Sequence, residues 1–594
     1  MQVSSGDEMN TSQAGRTRLG IGSPQFPACT GTIPPSSRGT IDEALGVLDA
    51  NKDGWVALSI PERIGILDTI RQDLLAVADR WVAASLYAKA IPAQTFGEGV
   101  EWAILAVVFR ALRALRQSLD DTRHFGRPRI PYPLTMHQNR QVVAQVFPQT
   151  TMDKILFLGI TGEVWMEPGL SSQDVVNTQA KVYRDKAHKG KIALVLGAGN
   201  ASSLPAVDSL YKLFVENQVV ILKMNPANAY LSPFMEEAFR VLIQRGVLRL
   251  IQGGAAEGNY VCHHPAVNEI HLTGSDKTFD AILFGSGSEG AQRKEARTPV
   301  LRKRVTAELG NVSPVIIVPG PWSHEEIKEQ GIQLATMLVA GAGCFCMTPR
   351  VIVQHKSWSQ RETFLRVLGE VLSNVQTHKA YYPNANARYE AFVTAHPNAS
   401  RFGKPGDNSL PWTLIADVDP DNSDDICFKS EAFCSLFAET ALEAPNVPEF
   451  IDRAVQFANE TLWGTLAATI MVHPKSLEHP QTRLAVDQAI ANLRYGTITV
   501  NLFAAYGHYF MVTPWGGYPG QDMYDVQSGV GWTNNVLMFR RPQKSVYRAP
   551  FRKTRDPLTV KSKFAHEFGK KLAHFDAFPS AWKLSSIMWT ALRS

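Results

Sequence analysis

Apolar residues recur at steps of three and four through the first third of the chain. The pattern runs from Ile41-Asp-Glu-Ala-Leu45 into Ile60-Pro-Glu-Arg-Ile64 and on to Leu75, and residues 81–119 largely continue it. This spacing predicts helices. Residues 1–40 are rich in Ser, Gly, Pro and Thr without periodicity and read as a disordered, mobile tail. Residues 142–146 and 162–166 read as strands. From Lys191 the period changes. Ile192–Leu196, residues 219–222, Leu248–Ile251 and residues 269–272 are short apolar runs separated by helical patterns at 206–214 and 232–245. Such alternation predicts a parallel, doubly wound α/β sheet. Gly285-Ser-Gly-Ser-Glu-Gly290 reads as a flexible surface loop, and a second α/β region follows from 305 to 501. In the last segment Phe568, Phe575, Phe578, Trp582 and Trp589 stand among lysines. That segment is expected to pack on the protein's own surface, with an amphipathic membrane or partner helix as the alternative.

Length and composition narrow the classes. With 594 residues, two or three domains are expected, and 45% apolar against 19% charged residues describes a globular chain. The 60 basic and 55 acidic residues give a net charge of +5 without clustering, which argues against nucleic acid and for a small-molecule partner. Residues 1–19 carry no apolar signal core, and the apolar run 102–109 is too short for a membrane helix. A cytoplasmic location is expected. The six cysteines, at 29, 262, 344, 346, 427 and 434, have neither a disulfide framework's regularity nor paired zinc-ligand spacing, so a reducing compartment and no metal are expected.

Candidate chemistry centres on Gly341-Ala-Gly-Cys-Phe-Cys-Met-Thr-Pro-Arg350, where small residues crowd two thiols ahead of a strand-like run. A thiolate attacks carbonyl carbon well, and glycine lets backbone and substrate approach closely. Gly197-x-Gly199 lies between a strand and a helix but lacks a third glycine, Ser202 standing there. Lys223 ends a predicted strand, where sheet ligands bind.

In their order along the chain these motifs resemble the aldehyde dehydrogenase superfamily: Gly197-Ala-Gly-Asn-Ala-Ser-Ser-Leu-Pro205, Lys223-Met-Asn-Pro226, Leu272-Thr-Gly-Ser275, Glu308-Leu-Gly-Asn-Val-Ser-Pro314, the cysteine stretch, Glu431-Ala-Phe433, Asn501 and Pro514-Trp-Gly-Gly-Tyr518. Cys346-Met-Thr-Pro349 is closest in style to the phenylacetate-pathway members. The resemblance implies NAD(P)-dependent oxidation of an aldehyde to an acid, with Cys346 as nucleophile and Cys344 as the rival thiol. It implies Glu308 as general base and Asn200 as oxyanion donor. NAD or NADP would be held by Lys223, Gly274, Ser275, Glu431 and Phe433. It further implies an α/β fold with a Rossmann-like dinucleotide domain over 41–304, oligomerisation strands near 142–166, a thiol domain over 305–501, a return segment with a strand near 536–539 over 502–550, and a C-terminal extension over 551–594. A homo-oligomer is expected. Pro226, Phe279, Asn311 and the missing Gly-Pro after Phe433 depart from the family pattern, and Pro226 leaves NADP as open as NAD. A coenzyme A-acylating enzyme and a non-catalytic dinucleotide-binding relative are the alternatives.

Overall fold

A computed structural model describes residues 20–24, 31–185, 187–403, 406, 408–552 and 556–594. Two sheets organise it. In the smaller, the strands lie in the order Gly529–Val530, Arg304–Leu309, Glu269–Gly274, Ile192–Leu196, Val219–Lys223 and Leu248–Ile251. All its neighbours are parallel except the short Gly529–Val530 edge. These strands are nearly continuous apolar runs because helices cover both faces. The fold is therefore mixed α/β with parallel sheets, as the alternation predicts.

Among the described residues the larger sheet has eleven strands. Its parallel middle is Pro542–Arg548, Thr497–Val500, Ala467–Met471, Ser313–Ile317, Pro349–His355, Leu436–Leu442 and Trp412–Ile415. The strands Val142–Phe147 and Thr161–Met166 add antiparallel onto Pro542–Arg548 of the same chain. The strand expected near 536–539 begins instead at Pro542, because Asn534, Met538 and Arg541 all take positive φ and interrupt extended backbone.

Two 30-residue helices, Ile60–Lys89 and Phe96–Phe125, flank the small sheet. The first is opened by a reciprocal Ser59–Glu62 capping box, and the second is closed by Gly126 at φ 74°. The C-terminal helix Ala565–Ala577 lies along Phe96–Phe125 at very close range. A Cβ on Gly569 would stand 2.3 Å from the Gly99 carbonyl oxygen, so only glycine allows the crossing.

Two expectations need correction. The stretch expected as a loop at 285–290 opens the helix Gly287–Glu295, with Glu289 in its first turn paired to Arg293 one turn on. Of the expected tail, residues 22–24 are buried, residues 31–37 are largely exposed but tied at Ser36 to Gln252, and 38–40 already belong to the helix Arg38–Ala57. Residues 1–19 and 25–30, with Cys29, lie outside the described residues.

Candidate active site

Cys346 owes its position to a turn that few sequences can make. Gly341, Ala342 and Gly343 take φ of 60°, 53° and 74° in succession, and a Cβ on Gly343 would lie 2.2 Å from the Cys434 carbonyl oxygen. The buried Arg350 guanidinium donates to the carbonyls of Gly343 and Cys434 and pins the turn to the neighbouring strand. The chain then enters Pro349–His355 with Cys346 facing the small sheet.

There it meets Glu308, near the end of Arg304–Leu309. Cys346 Sγ donates to Glu308 Oε1 at 3.1 Å, so one member of the pair comes from each sheet. Burial, with the nearby Asp208 carboxylate, pushes the Glu308 carboxyl up to about 7, against the opposing influence of the Trp515 indole and the Cys346 thiol. Burial and the facing carboxylate also raise the Cys346 thiol well above its ordinary value. A thiolate does not stand preformed here. The geometry instead suits a proton passing from sulfur to carboxylate as sulfur attacks.

The other thiol is differently placed. Cys344 is closed in with Tyr382 and Phe433, its Sγ aimed at the Phe433 carbonyl at 3.4 Å, and burial pushes it up to about 12. Cys346 lines a cavity of about 700 Å³ and Cys344 does not. Asn200 lines that cavity too. One Nδ2 hydrogen is used on the Cys344 carbonyl at 2.9 Å, and the amide carries a second.

The cavity wall is mostly apolar. Val100, Ile104 and Val107 come from the long helix, Phe345, Met347 and Phe503 from around the thiol, and Phe568, Leu572, Met588 and Leu592 from the two C-terminal helices. The C-terminal helices were legible as amphipathic, but periodicity does not say which face of which neighbour they complete. Of the two groups that act on Glu308, Trp515 stands in the Pro514–Tyr518 motif, while Asp208 carries no spacing that would single it out.

The residues expected to hold a dinucleotide lie along the carboxyl edge of the small sheet. Lys223 ends its strand and donates from Nζ to the Gly253 carbonyl at 2.6 Å, and burial lowers it to about 8. Ser275 caps the helix Asp276–Phe284, with Gly274 exposed beside it. Glu431 is buried over Gly310, and burial pushes it up to about 7 against the opposing charge of Arg350. Phe433 is buried, its ring centroid 5.0 Å from that of Tyr382.

An N-terminal strand-like segment runs over this edge. Gly22 N donates to Lys429 O, Glu431 N to Gly22 O and Ser23 N to Asp276 Oδ1, while Ser23 Oγ donates to Glu431 Oε2 at 3.1 Å. Farther along, Ser36 and Gln252 exchange hydrogen bonds. As a donor set, a buried ammonium at a strand's carboxyl end and a helix N-terminus suit ribose hydroxyls and phosphate. The residues fit a dinucleotide chemically, beneath residues 20–24.

Residues 199–387 match the aldehyde dehydrogenase family model, a span that takes in Asn200, Lys223, Glu308 and both thiols. Over that span the chain is similar to the aldehyde dehydrogenase family. Over 342 residues it is 24% identical to 4-trimethylaminobutyraldehyde dehydrogenase A of Danio rerio, covering 54% of this chain and 58% of that one. The chain thus spans a little over half the length of that curated relative. Among solved structures, an aldehyde dehydrogenase of Mycobacterium tuberculosis complexed with NAD+ superposes with a TM-score of 0.59 at 17% identity, covering 91% of this chain and 96% of that one. The NADP-dependent glyceraldehyde-3-phosphate dehydrogenase of Bacillus halodurans, complexed with NADP, gives a TM-score of 0.56 at 15% identity, with 88% and 95% covered. These similarities accord with the fold and with the order of the motifs.

Proposed function

We propose that this chain oxidises an aldehyde to a carboxylic acid with NAD or NADP. The observation that carries the reading is the 3.1 Å contact of Cys346 Sγ with Glu308 Oε1 at the wall of an apolar cavity. Substrate enters the cavity with its carbonyl toward Cys346. As sulfur bonds to the carbonyl carbon, the thiol proton passes to Glu308, whose carboxyl titrates at about 7 and is therefore partly ionised at neutral pH. The second Nδ2 hydrogen of Asn200 serves the oxygen that gains charge. A bound nicotinamide would supply the hydride acceptor that turns the thiohemiacetal into a thioester, held by Lys223 and the N-terminus of Asp276–Phe284. Glu308, having released that proton to solvent, then takes one from a water that attacks the thioester, and as the acid leaves the expelled Cys346 sulfur takes this proton back from Glu308.

The 41–304 segment, with the small sheet, is the proposed dinucleotide-binding domain, and 305–501 the proposed thiol domain. Cofactor complexes of related folds support NAD(P) as the oxidant. The test is a panel of aldehydes assayed with NAD and NADP separately, without and with coenzyme A. The expected outcome is NAD(P)H formation without coenzyme A, together with an acyl adduct on Cys346 by mass spectrometry. Turnover only with coenzyme A would replace hydrolysis by acyl transfer. Cofactor binding without any adduct would support a non-catalytic relative.

A further inference from the structure

The same cavity opens through a collar that nothing in the aldehyde chemistry requires. Of its lining residues, Leu158 is 79% exposed, Leu592 55% and Ile155 46%, so apolar side chains continue from the interior to the outer surface. Leu592 belongs to the last helix, Ala581–Arg593, which packs Leu584, Ile587 and Thr590 inward. Its outer face is unusual for a protein surface. Trp582 is 83% exposed and Trp589 62%, seven residues apart and hence on one stripe, with Leu592 one turn beyond. Ile155 and Leu158 flank this face, since the helix Thr151–Leu156 packs against the last helix. Exposed tryptophans beside a leucine, with cations nearby, are the side chains that settle at a lipid headgroup boundary. The helix Ala581–Arg593 carries no acidic residue and two cations, Lys583, whose Nζ donates to the His574 and Phe578 carbonyls, and Arg593, exposed with its guanidinium over the Phe564 ring. Its charge complements an anionic surface. No described helix is long and apolar enough to cross a membrane, so the contact is one of lying on the surface.

Building on the aldehyde oxidation proposed above, we infer that the substrate is an aldehyde with an extended apolar chain, received from an anionic lipid surface on which the helix Ala581–Arg593 lies. The carbonyl end reaches Cys346 while the tail runs past Leu572 and Met588 toward the collar. Burying each added methylene in such a wall favours binding by a constant increment.

Two measurements test this on the full chain. In the first, the protein is sedimented with phosphatidylcholine vesicles with and without phosphatidylserine. It should sediment with the anionic vesicles, and a Trp582→Ser/Trp589→Ser variant should bind them about tenfold or more weakly. Both tryptophans lie outside the cavity lining, so the variant should keep native kcat/KM on butanal in solution. In the second, kcat/KM for the native protein should rise about threefold per methylene from butanal upward until the cavity is filled. Failure to sediment with anionic vesicles, a double variant that sediments as well as the native protein, or a rate independent of chain length would each overturn the inference. So would tryptophan-dependent self-association without vesicle binding, which would make the face a contact between copies. Absence of turnover on every aldehyde would instead sink the oxidation reading, and sedimentation would still judge the lipid surface.

Discussion

The two approaches to the Cys346–Glu308 pair differ in what fills them. On the substrate side is an open apolar cavity of about 700 Å³, its outer wall built by C-terminal helices beyond the last strand of the large sheet. On the side of the small sheet's carboxyl edge, residues 20–24 and 31–36 lie over the groups that suit a dinucleotide. The lesson is that one thiol and one carboxylate can be kept in working geometry by the two sheets while added segments at the chain ends reshape each entrance separately. Helices are suited to walling a cavity, because their backbone is satisfied internally and only side chains face it. An irregular segment covers an edge by lending its own N–H and C=O groups, which makes the cover polar and displaceable.

The largest way to break the comparison is at the pair itself. Cys346→Ala should reduce aldehyde-dependent NAD(P)H formation by on the order of 10⁴-fold or more, and Cys344→Ala should leave most of it, because only Cys346 faces the cavity. The reverse result in the same spectrophotometric assay would transfer the nucleophile to Cys344.

Glu308→Gln should cost roughly 10³-fold in kcat/KM. The native pH profile carries a sign. Glu308 accepts a proton only when ionised, and burial has moved its titration up to about 7, so kcat/KM should rise as pH rises through that value. In the glutamine variant the step should vanish, and a profile that keeps it would point to another group.

The substrate-side wall is anchored by buried charge. Arg110 lies 2.7 Å from Asp153 and 3.4 Å from Asp576, Arg113 lies 2.9 Å from Asp576, and Tyr509, itself a cavity residue, donates to Asp576. Asp576→Ala leaves the buried Arg110 and the half-buried Arg113 underpaired and should destabilise the protein by about 3 kcal/mol in urea unfolding. A change within experimental error would mean that the C-terminal helices hold by apolar packing alone.

The smallest effect belongs to the polar cover. Gly22 has φ 102°, and a Cβ there would fall 2.3 Å from Asp276 Oδ2, so Gly22→Val should lift residues 20–24. If that segment competes with the dinucleotide, NAD(P) should bind roughly fivefold tighter by calorimetric titration. Unchanged affinity would show that cover and cofactor occupy separate ground.

Much of this was legible from local pattern. Most of the small sheet follows from apolar runs alternating with helical periods between Ile192 and Leu272, whereas Arg304–Leu309, expected in the second α/β region, joins this sheet through Glu269–Gly274. The long helix from Ile60 shows its capping box in Ser59 and Glu62, because caps and periods are local properties of a chain. The stretch 285–290 was misread because glycine and serine content says flexibility, while a Glu289–Arg293 pair and a Gly290 seated against Gly285 say helix. The order of short motifs nominated Cys346, Glu308 and Asn200.

What the sequence by itself determined, then, is the resemblance to aldehyde dehydrogenases and the alternating runs of the small sheet, and it nominated the thiol and the carboxylate, since each is written in spacing or residue type. Tertiary structure alone decided that Cys346 rather than Cys344 opens to the cavity, that Glu308 titrates near neutrality, that the C-terminal helices wall the substrate entrance and that residues 20–24 cross the opposite edge. The physical reason is common to all four. Burial, dielectric and the choice of packing partner are set by residues hundreds of positions apart, as with Ser23 on Glu431 or Gly569 on Gly99, and no local period encodes them.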